Sequence, residues 1–257
     1  MAFITLKTLP LSLSFSYSFV VVPMFVFMGL VASGSGLMTD LYDAFNKWFA
    51  KVKGSLILVT TGASAAFGAV SGSTLVNATV FTNIAFPEML RLGYKPGIGA
   101  AAIAAAGTLA ALIPPSLNVV IIGILTEMSI GRLLLAALVP GIVTALVYMI
   151  GTVVCVRLFP DWAPEPSGSY SWGEKFSSLR HIWPVACIFA IIVGGIYTGI
   201  TAPSAAGGLG ALAAVVILMI QGRMRKDIFW NSLTQTVNIM KTLFIIIVGG
   251  MIFGKFL

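Results

Sequence analysis

Two short stretches of small or ring-constrained residues interrupt an otherwise apolar chain. The first is Ser-Gly-Ser at 71–73, followed by Asn77, and the second is Ile-Pro-Pro-Ser at 113–116. Glycine and serine tolerate non-helical backbone, and two consecutive prolines remove two amide donors and break a helix. Opened helix ends offer carbonyl oxygens to a cation and amide donors to an anion. The two stretches therefore indicate a binding site built largely from backbone.

The positions of the acidic residues restrict the chemistry that this site could have. All eight fall in loops or at the ends of apolar runs: Asp40, Asp43, Glu88, Glu127, Asp161, Glu165, Glu174 and Asp227. Proton-coupled carriers usually rely on a carboxylate or histidine inside the membrane. A cation site here would instead use carbonyls with the side chains of Ser71, Ser73, Asn77, Thr108 and Ser116, and such hard neutral oxygens suit Na⁺ better than a transition metal.

The elements that position these residues are predicted to be membrane helices. Of 257 residues, 58% are hydrophobic and 9% are charged, whereas a soluble domain has roughly 25% charged residues. Apolar runs such as Leu11 to Leu30 and Leu133 to Leu158 are close to the roughly 20 residues that span hydrocarbon. The formal charge of +7 is scattered over short loops, which indicates membrane topology rather than nucleic-acid binding.

The segment 55–90 is predicted to be a re-entrant hairpin. It is too long for one span, and arms of about 15 residues would reach roughly 22 Å, short of a full crossing. A hairpin also keeps Lys47, Lys51 and Lys53 on the cytoplasmic side with the other basic loops, as the positive-inside rule favours. Its tip and the neighbouring broken helix would then lie at mid-membrane depth, where transporters bind substrate and ions. The alternative is that Pro-Pro is only a kink and the Ser-Gly-Ser stretch only a packing seam.

Topology and loop composition together divide the chain into eight segments. They are a first retained membrane span (1–37), an amphipathic interfacial helix (38–54), the re-entrant hairpin (55–90), a discontinuous membrane helix (91–127), a span (128–159), a cytoplasmic linker (160–180), two spans (181–221), and a basic loop with an interfacial helix and a truncated span (222–257).

Enzyme chemistry finds little support in the sequence. Gly62-Ala63-Ser64 has the Gly-x-Ser pattern of an intramembrane serine protease, which needs a histidine base in a facing span. The single histidine, His181, is predicted at the end of a span, and Cys155 and Cys187 lie inside apolar runs as small hydrophobes. We therefore expect a protein that is not an enzyme.

The order of these motifs resembles a known family. The stretches VPMFVFMG, AAFGAVSGSTLVNATVFTNIAFPEMLRLGYKP, GTLAALIPPSLNVV and GGIYTGITAPSAAG are similar to the large membrane subunit of tripartite ATP-independent periplasmic (TRAP) transporters. The resemblance covers nearly the whole chain, and its most specific parts are the Ser-Gly-Ser tip and the Ile-Pro-Pro-Ser segment.

The resemblance implies an all-α, polytopic, elevator-type carrier of the bacterial inner membrane, with a re-entrant hairpin and discontinuous helices in a partial inverted repeat. It implies Na⁺-driven uptake of an organic acid, commonly a carboxylate, a periplasmic solute-binding protein that delivers it, and a small membrane subunit as partner. No cofactor is expected beyond Na⁺ as the coupling ion. Carried onto this chain, the Na⁺ and substrate site comprises Ser71, Gly72, Ser73, Asn77, Gly107, Thr108, Pro114 and Ser116.

Two departures from the family pattern lead to a further expectation. A first span before Met1 and a second hairpin and broken helix after Leu257 are not in the sequence, so we expect a fragment that carries one repeat and the start of the next. Where the family usually has glutamate after Thr-Pro-Thr, this chain has Ala205. The competing hypothesis is a channel-like or non-transporting membrane subunit.

Overall fold

The computed structural model describes Thr8, residues 10–165 and residues 168–256, and over these residues the chain forms helices and no strand. The α-helices are α1 (Val21–Gly34), α2 (Leu37–Phe49), α3 (Ser55–Ser71), α4 (Thr74–Arg91), α5 (Pro96–Thr108), α6 (Leu117–Leu125), α7 (Ile130–Leu158), α8 (Trp172–Tyr197), α9 (Pro203–Ile220) and α10 (Lys226–Phe256). Short 3₁₀ turns occupy Tyr17–Val20, Leu109–Ala111 and Pro160–Trp162.

Helices α7, α8, α9 and α10 are each long and apolar enough to cross a bilayer. The apolar side chains of these helices are largely unburied within the protein. Lipid is the solvent that accepts such surfaces. The prediction of an all-α polytopic membrane protein is confirmed.

The first apolar run is less regular than predicted. Residues 10–14 are helical, but the helix stops at Phe15 and Ser16 before the chain resumes in a 3₁₀ turn and α1. The Ser14 hydroxyl donates to the Pro10 carbonyl over 2.8 Å, a local bond of the kind by which serine competes with regular helix. A second change of direction follows α1, where α2 leaves at 66° after Gly36, whose φ of +81° favours glycine.

Helices α3 and α4 form an antiparallel hairpin of 17 and 18 residues. At its open end the Leu56 amide donates to the Tyr94 hydroxyl over 3.2 Å, and further along the rings of Phe67 and Phe81 lie 6.4 Å apart. Each arm is about 26 Å long at 1.5 Å per residue, less than the roughly 30 Å of the hydrocarbon core. Burial raises the pKa of the Tyr94 phenol, so this hydroxyl stays neutral where it closes the hairpin.

The open end of the hairpin lies on the same side of the molecule as the segment that precedes α8. Lys53, just before α3, pairs with Glu165 over 2.6 Å, and Trp48 on α2 lies edge-on to Trp172 at 6.5 Å. These contacts place the end of α2 and the start of α8 at one end of the helices. The arrangement is compatible with a hairpin that returns to its own side, whereas a single crossing by 55–90 would separate the two segments.

Two boundaries in the C-terminal half differ from the predicted ones. The linker predicted for 160–180 ends early because α8 begins at Trp172, where Ser171 and Glu174 form a reciprocal capping box. The region after the basic loop was predicted as an interfacial helix followed by a separate span, but α10 is one helix of 31 residues. No glycine or proline occurs between Lys226 and Val248 to break it.

Helix α1 packs against the hairpin tip through a glycine. A Cβ atom added at Gly29 would lie 2.7 Å from Ser71 Cα and 2.9 Å from the Ser71 carbonyl oxygen. The neighbouring α1 side chains Phe25 and Met28 are fully buried. The tip is therefore held by backbone-to-backbone contact, which only glycine at position 29 permits.

We expect Gly29→Ala to lower the stability of the protein by about 1–3 kcal/mol, because overpacking at a backbone contact forces α1 and the tip apart. Thermal unfolding of the detergent-purified protein measures the effect. The matched control is Gly151→Ala in α7, where no atom lies within 4 Å of the added methyl, and its melting temperature should stay the same or rise slightly. Equal melting temperatures for the two variants would contradict the assigned contact.

Candidate binding site at the hairpin tip

The hairpin tip meets the break between α5 and α6. The Leu117 amide, the first of α6, donates to the Gly72 carbonyl over 3.0 Å. Gly72 has a φ of +59°, and a side chain there would collide with the Pro115 carbonyl. The end of α3, the start of α4 and both sides of the helix break therefore converge on one point, so carbonyl-bearing and amide-bearing helix ends occur side by side.

Two buried oxygens at the tip lack hydrogen-bond partners. Ser71 and Asn77 are both fully buried, and within the described part of the chain neither Ser71 Oγ nor Asn77 Oδ1 has a partner. A buried polar atom without a partner costs free energy comparable to a lost hydrogen bond. Unpaired neutral oxygens of this kind are suitable ligands for a hard cation.

Two serines begin the two helices that start at the site. Ser73 Oγ accepts from the Val76 amide at the start of α4, and Ser116 Oγ accepts from the Val119 amide at the start of α6, both over 3.4 Å. The Ser116 hydroxyl also donates to the Ala111 carbonyl across the break over 2.6 Å. Both serines thus cap helices, and two helix N-termini lie beside the same tip.

The remaining predicted site residues differ in their surroundings. Pro114 is buried in the break and forms a cis peptide bond with Pro115. Gly107 packs against α4, where an added Cβ would lie 3.1 Å from Ala78 Cβ. Thr108 is exposed, and its hydroxyl donates to the Ala105 carbonyl over 2.7 Å. The structure thus joins the tip to the break but leaves the Thr108 hydroxyl engaged with its own helix.

Two residues that the sequence did not assign to the site contact its members. Asn77 Nδ2 donates to the Ser64 carbonyl over 3.1 Å, and the Ser64 hydroxyl donates to the Ala106 carbonyl over 2.8 Å. The Tyr148 hydroxyl lies 3.4 Å from Thr108 Oγ1. Ser64 thereby links α3 to both α4 and α5. The sequence could have indicated this role, because Ser64 is a polar residue within an apolar arm of the hairpin. No comparable signal marked Tyr148.

Ser64 and the single histidine belong to different parts of the fold. His181 lies on α8, where its Nδ1 is 3.2 Å from the Ser177 carbonyl and its ring borders a polar cavity of about 210 Å³ with Asp40 and Asp43. The Ser64 hydroxyl donates to the Ala106 carbonyl and the Ser64 carbonyl accepts from Asn77, so both groups serve to hold helices together. Among the described residues no three histidine, cysteine or acidic side chains lie close enough together to hold a metal ion.

Comparison with known proteins identifies a matching family and several relatives. The family model described as "Tripartite ATP-independent periplasmic transporter, DctM component" matches residues 11–257. The chain is 34% identical over 212 residues to the ectoine TRAP transporter large permease protein TeaC of Halomonas elongata, an alignment that covers 81% of this chain and 48% of the relative. It is 30% identical over 242 residues to the C4-dicarboxylate TRAP transporter large permease protein DctM of Pseudomonas aeruginosa, covering 94% and 56%.

A third relative, the sialic acid TRAP transporter large permease protein SiaM of Vibrio cholerae, is 26% identical over 241 residues, covering 93% of this chain and 56% of its own length. The chain spans about half the length of the curated relatives it matches.

Removal of the hydroxyl should lower the stability of the protein at one serine of the hairpin and have almost no effect at another. Ser64→Ala loses a buried hydrogen bond to the Ala106 carbonyl, which then keeps only its bond from the Leu109 amide, so we expect a loss of about 1 kcal/mol. Ser71→Ala removes a buried hydroxyl that has no partner in the described structure, so its effect should be close to zero. Thermal unfolding in a buffer with potassium as the sole alkali cation measures both, and a larger loss for Ser71→Ala than for Ser64→Ala would refute these assignments.

Proposed function

Since the chain belongs to the DctM family of tripartite ATP-independent periplasmic transporters, we propose that it is the large membrane subunit of a Na⁺-coupled carrier that imports an organic acid. The relatives named above serve transporters for ectoine, C4-dicarboxylates and sialic acid. Two of these three names denote carboxylic acids, which supports a carboxylate as the substrate class.

The observation that carries the Na⁺ assignment is the pair of unpartnered oxygens, Ser71 Oγ and Asn77 Oδ1, buried beside the end of α3. The last carbonyls of a helix carry partial negative charge and add ligands of the same hard, neutral type. A monovalent cation bound at the tip would supply a partner to oxygens that otherwise have none. The hairpin contains no acidic residue before Glu88, which argues against proton transfer through a carboxylate at the tip.

The substrate carboxylate would bind at the other kind of helix end. Helices α4 and α6 both begin at the tip, with Ser73 and Ser116 as their caps. Amides at a helix N-terminus attract an anion, and a nearby bound cation strengthens that attraction. Coupling follows because each ion lowers the free energy of binding the other at adjoining ends of the same opened backbone.

The transport cycle we propose moves the hairpin and broken helix as one body past the neighbouring spans, in the elevator manner. Support for a rigid body comes from the Leu117-to-Gly72 hydrogen bond and from the Ser64 links to α4 and α5. The partners in this proposal are a small membrane subunit and a periplasmic solute-binding protein, and the location is the bacterial inner membrane.

Na⁺ should stabilise the protein against heat more than K⁺ at equal ionic strength, because a ligand that binds only the folded state raises its stability. At a concentration about 100 times the dissociation constant the gain is roughly 2.7 kcal/mol. Ser71→Ala should reduce the Na⁺-specific shift while leaving the melting temperature in K⁺ unchanged. Ser73→Ala is a poorer probe, since it also removes the cap of α4 and would lower stability in both salts.

An unchanged Na⁺-specific shift in folded Ser71→Ala would remove this hydroxyl from the site. The same thermal shift in Na⁺ and K⁺ for the unaltered protein would remove the cation site altogether.

Transport itself is tested in proteoliposomes that hold the permease and its small subunit, with the binding protein supplied outside. We expect uptake of the labelled organic acid when an inward Na⁺ gradient is present, and background uptake when K⁺ replaces Na⁺. Uptake that is equal under both gradients would refute Na⁺ coupling. Folded protein that moves no substrate under any gradient would favour the non-transporting alternative.

A further inference from the structure

A cluster of three aromatic rings and a lysine forms where α2 ends and α8 begins. The ring of Trp48 lies edge-on to Trp172 and to Phe176, with centroids 6.5 and 5.9 Å away. Lys175 Nζ sits 5.1 Å from the centroid of Trp172 and 5.9 Å from that of Trp48. Trp172 is 69% exposed and Phe176 is 60% exposed. We call these four residues the aromatic–basic corner.

Positive charge is in excess around the aromatic–basic corner. Three acids lie nearby: Glu165 pairs with Lys53, Asp43 lines a small cavity with Lys47, and the Glu174 carboxylate keeps its charge while accepting from the amide and hydroxyl of Ser171. They are outnumbered by Lys47, Lys51, Lys53, Lys175 and Arg180 on the same stretches of chain. No ion pair within the described residues involves Lys175, Lys51 or Arg180. An anionic group is therefore the complementary partner for this surface.

An apolar groove runs inward from the corner between α2 and α8. Its outer part is a cavity of about 310 Å³ lined by Ala44, Phe45, Trp48, Phe49, Leu179 and Ile182. Phe45 and Ile182 also line a second cavity of about 310 Å³, which continues past Ala186 and Phe189 toward α3 and α7. The two cavities adjoin at Phe45 and Ile182 and have no polar lining side chain apart from the Trp48 indole, so together they make an apolar groove between α2 and α8.

The residues of α8 that face this groove follow helical periodicity. Lys175 lies on the same face as Leu179, Ile182, Ala186 and Phe189, at steps of four, three, four and three residues. The ten residue steps from Leu179 to Phe189 cover about 15 Å along the helix. This length equals about half of the roughly 30 Å hydrocarbon core, the depth of one leaflet.

A cation at the mouth of an apolar groove of leaflet depth matches the shape of a phospholipid. We propose that the groove between α2 and α8 binds an anionic phospholipid, with its phosphate at Lys175 and an acyl chain along Leu179, Ile182 and Phe189. Indole rings at the level of the headgroups favour the same placement. An acidic protein segment would match the charge but would leave the apolar groove without an occupant.

The test measures the lipid that stays on the full chain after purification. The detergent-solubilised protein is incubated with equal amounts of phosphatidylglycerol and phosphatidylcholine of identical acyl chains, freed of excess lipid, and analysed by mass spectrometry. We expect phosphatidylglycerol to be retained in preference to phosphatidylcholine. Lys175→Gln should lower its retention about fivefold, as the loss of one lysine near an anionic headgroup predicts, and Lys175→Arg should restore it.

Two further variants separate the contribution of the apolar groove to lipid retention from that of the positive charge. Lys95→Gln removes an exposed loop lysine at the same end of the molecule and should leave retention unchanged. Ala186→Leu narrows the inner groove without altering charge and should lower retention while Lys175 is intact. A single symmetric peak in size-exclusion chromatography and unchanged helical circular dichroism establish that each variant is folded.

Several outcomes would overturn the proposal. Equal retention of the two lipids would exclude an anionic headgroup site, and full retention by Ala186→Leu would exclude the groove as the acyl-chain site. Lys175→Gln that keeps its phosphatidylglycerol but loses a co-purifying protein would show that the corner serves a protein partner instead.

Discussion

The structure depends on how two pieces of opened backbone satisfy each other away from water. A hairpin tip and a broken helix expose amides and carbonyls that regular helices would pair internally, and in a hydrocarbon environment each unpaired group is costly. The Leu117 amide and the Gly72 carbonyl resolve part of that cost by pairing with each other. This pairing fixes the tip against the break, and the remaining elements pack around it.

The close approach that this pairing requires explains where small residues occur. Gly29 on α1 lets the Ser71 backbone come within contact distance, and Gly72 lets the Pro115 carbonyl approach the tip. Ser64 adds polar links to both neighbouring helices. The tip is therefore held by backbone contacts and hydrogen bonds with definite geometry, a stiffer arrangement than sliding apolar side chains would give.

The same geometry relates stability to the proposed function. A tip that leaves the Ser71 and Asn77 oxygens unpaired keeps part of its polar cost uncompensated, and a bound cation would remove that cost. Helix starts at Thr74 and Leu117 lie beside it, so the proposed cation and anion would each meet a helix end of complementary charge within one small region. At the far end of the hairpin, the groove between α2 and α8 has the opposite character, since its lining is apolar and its charge sits at the mouth.

The sequence alone determined the membrane class, the family resemblance and the positions at which helices must break, because apolar length, proline stereochemistry and glycine freedom are local properties. It predicted α8 to start later than Trp172, split α10 into two elements, and treated the run from Leu11 as continuous. Only the tertiary structure decided that the hairpin tip pairs with the helix break and that Ser64 joins three helices. It also decided that Ser71 Oγ has no partner, whereas the Thr108 hydroxyl donates to the Ala105 carbonyl of its own helix. Such hydrogen-bond choices depend on which distant elements pack together, and that long-range packing is not encoded in the periodicity of any single segment.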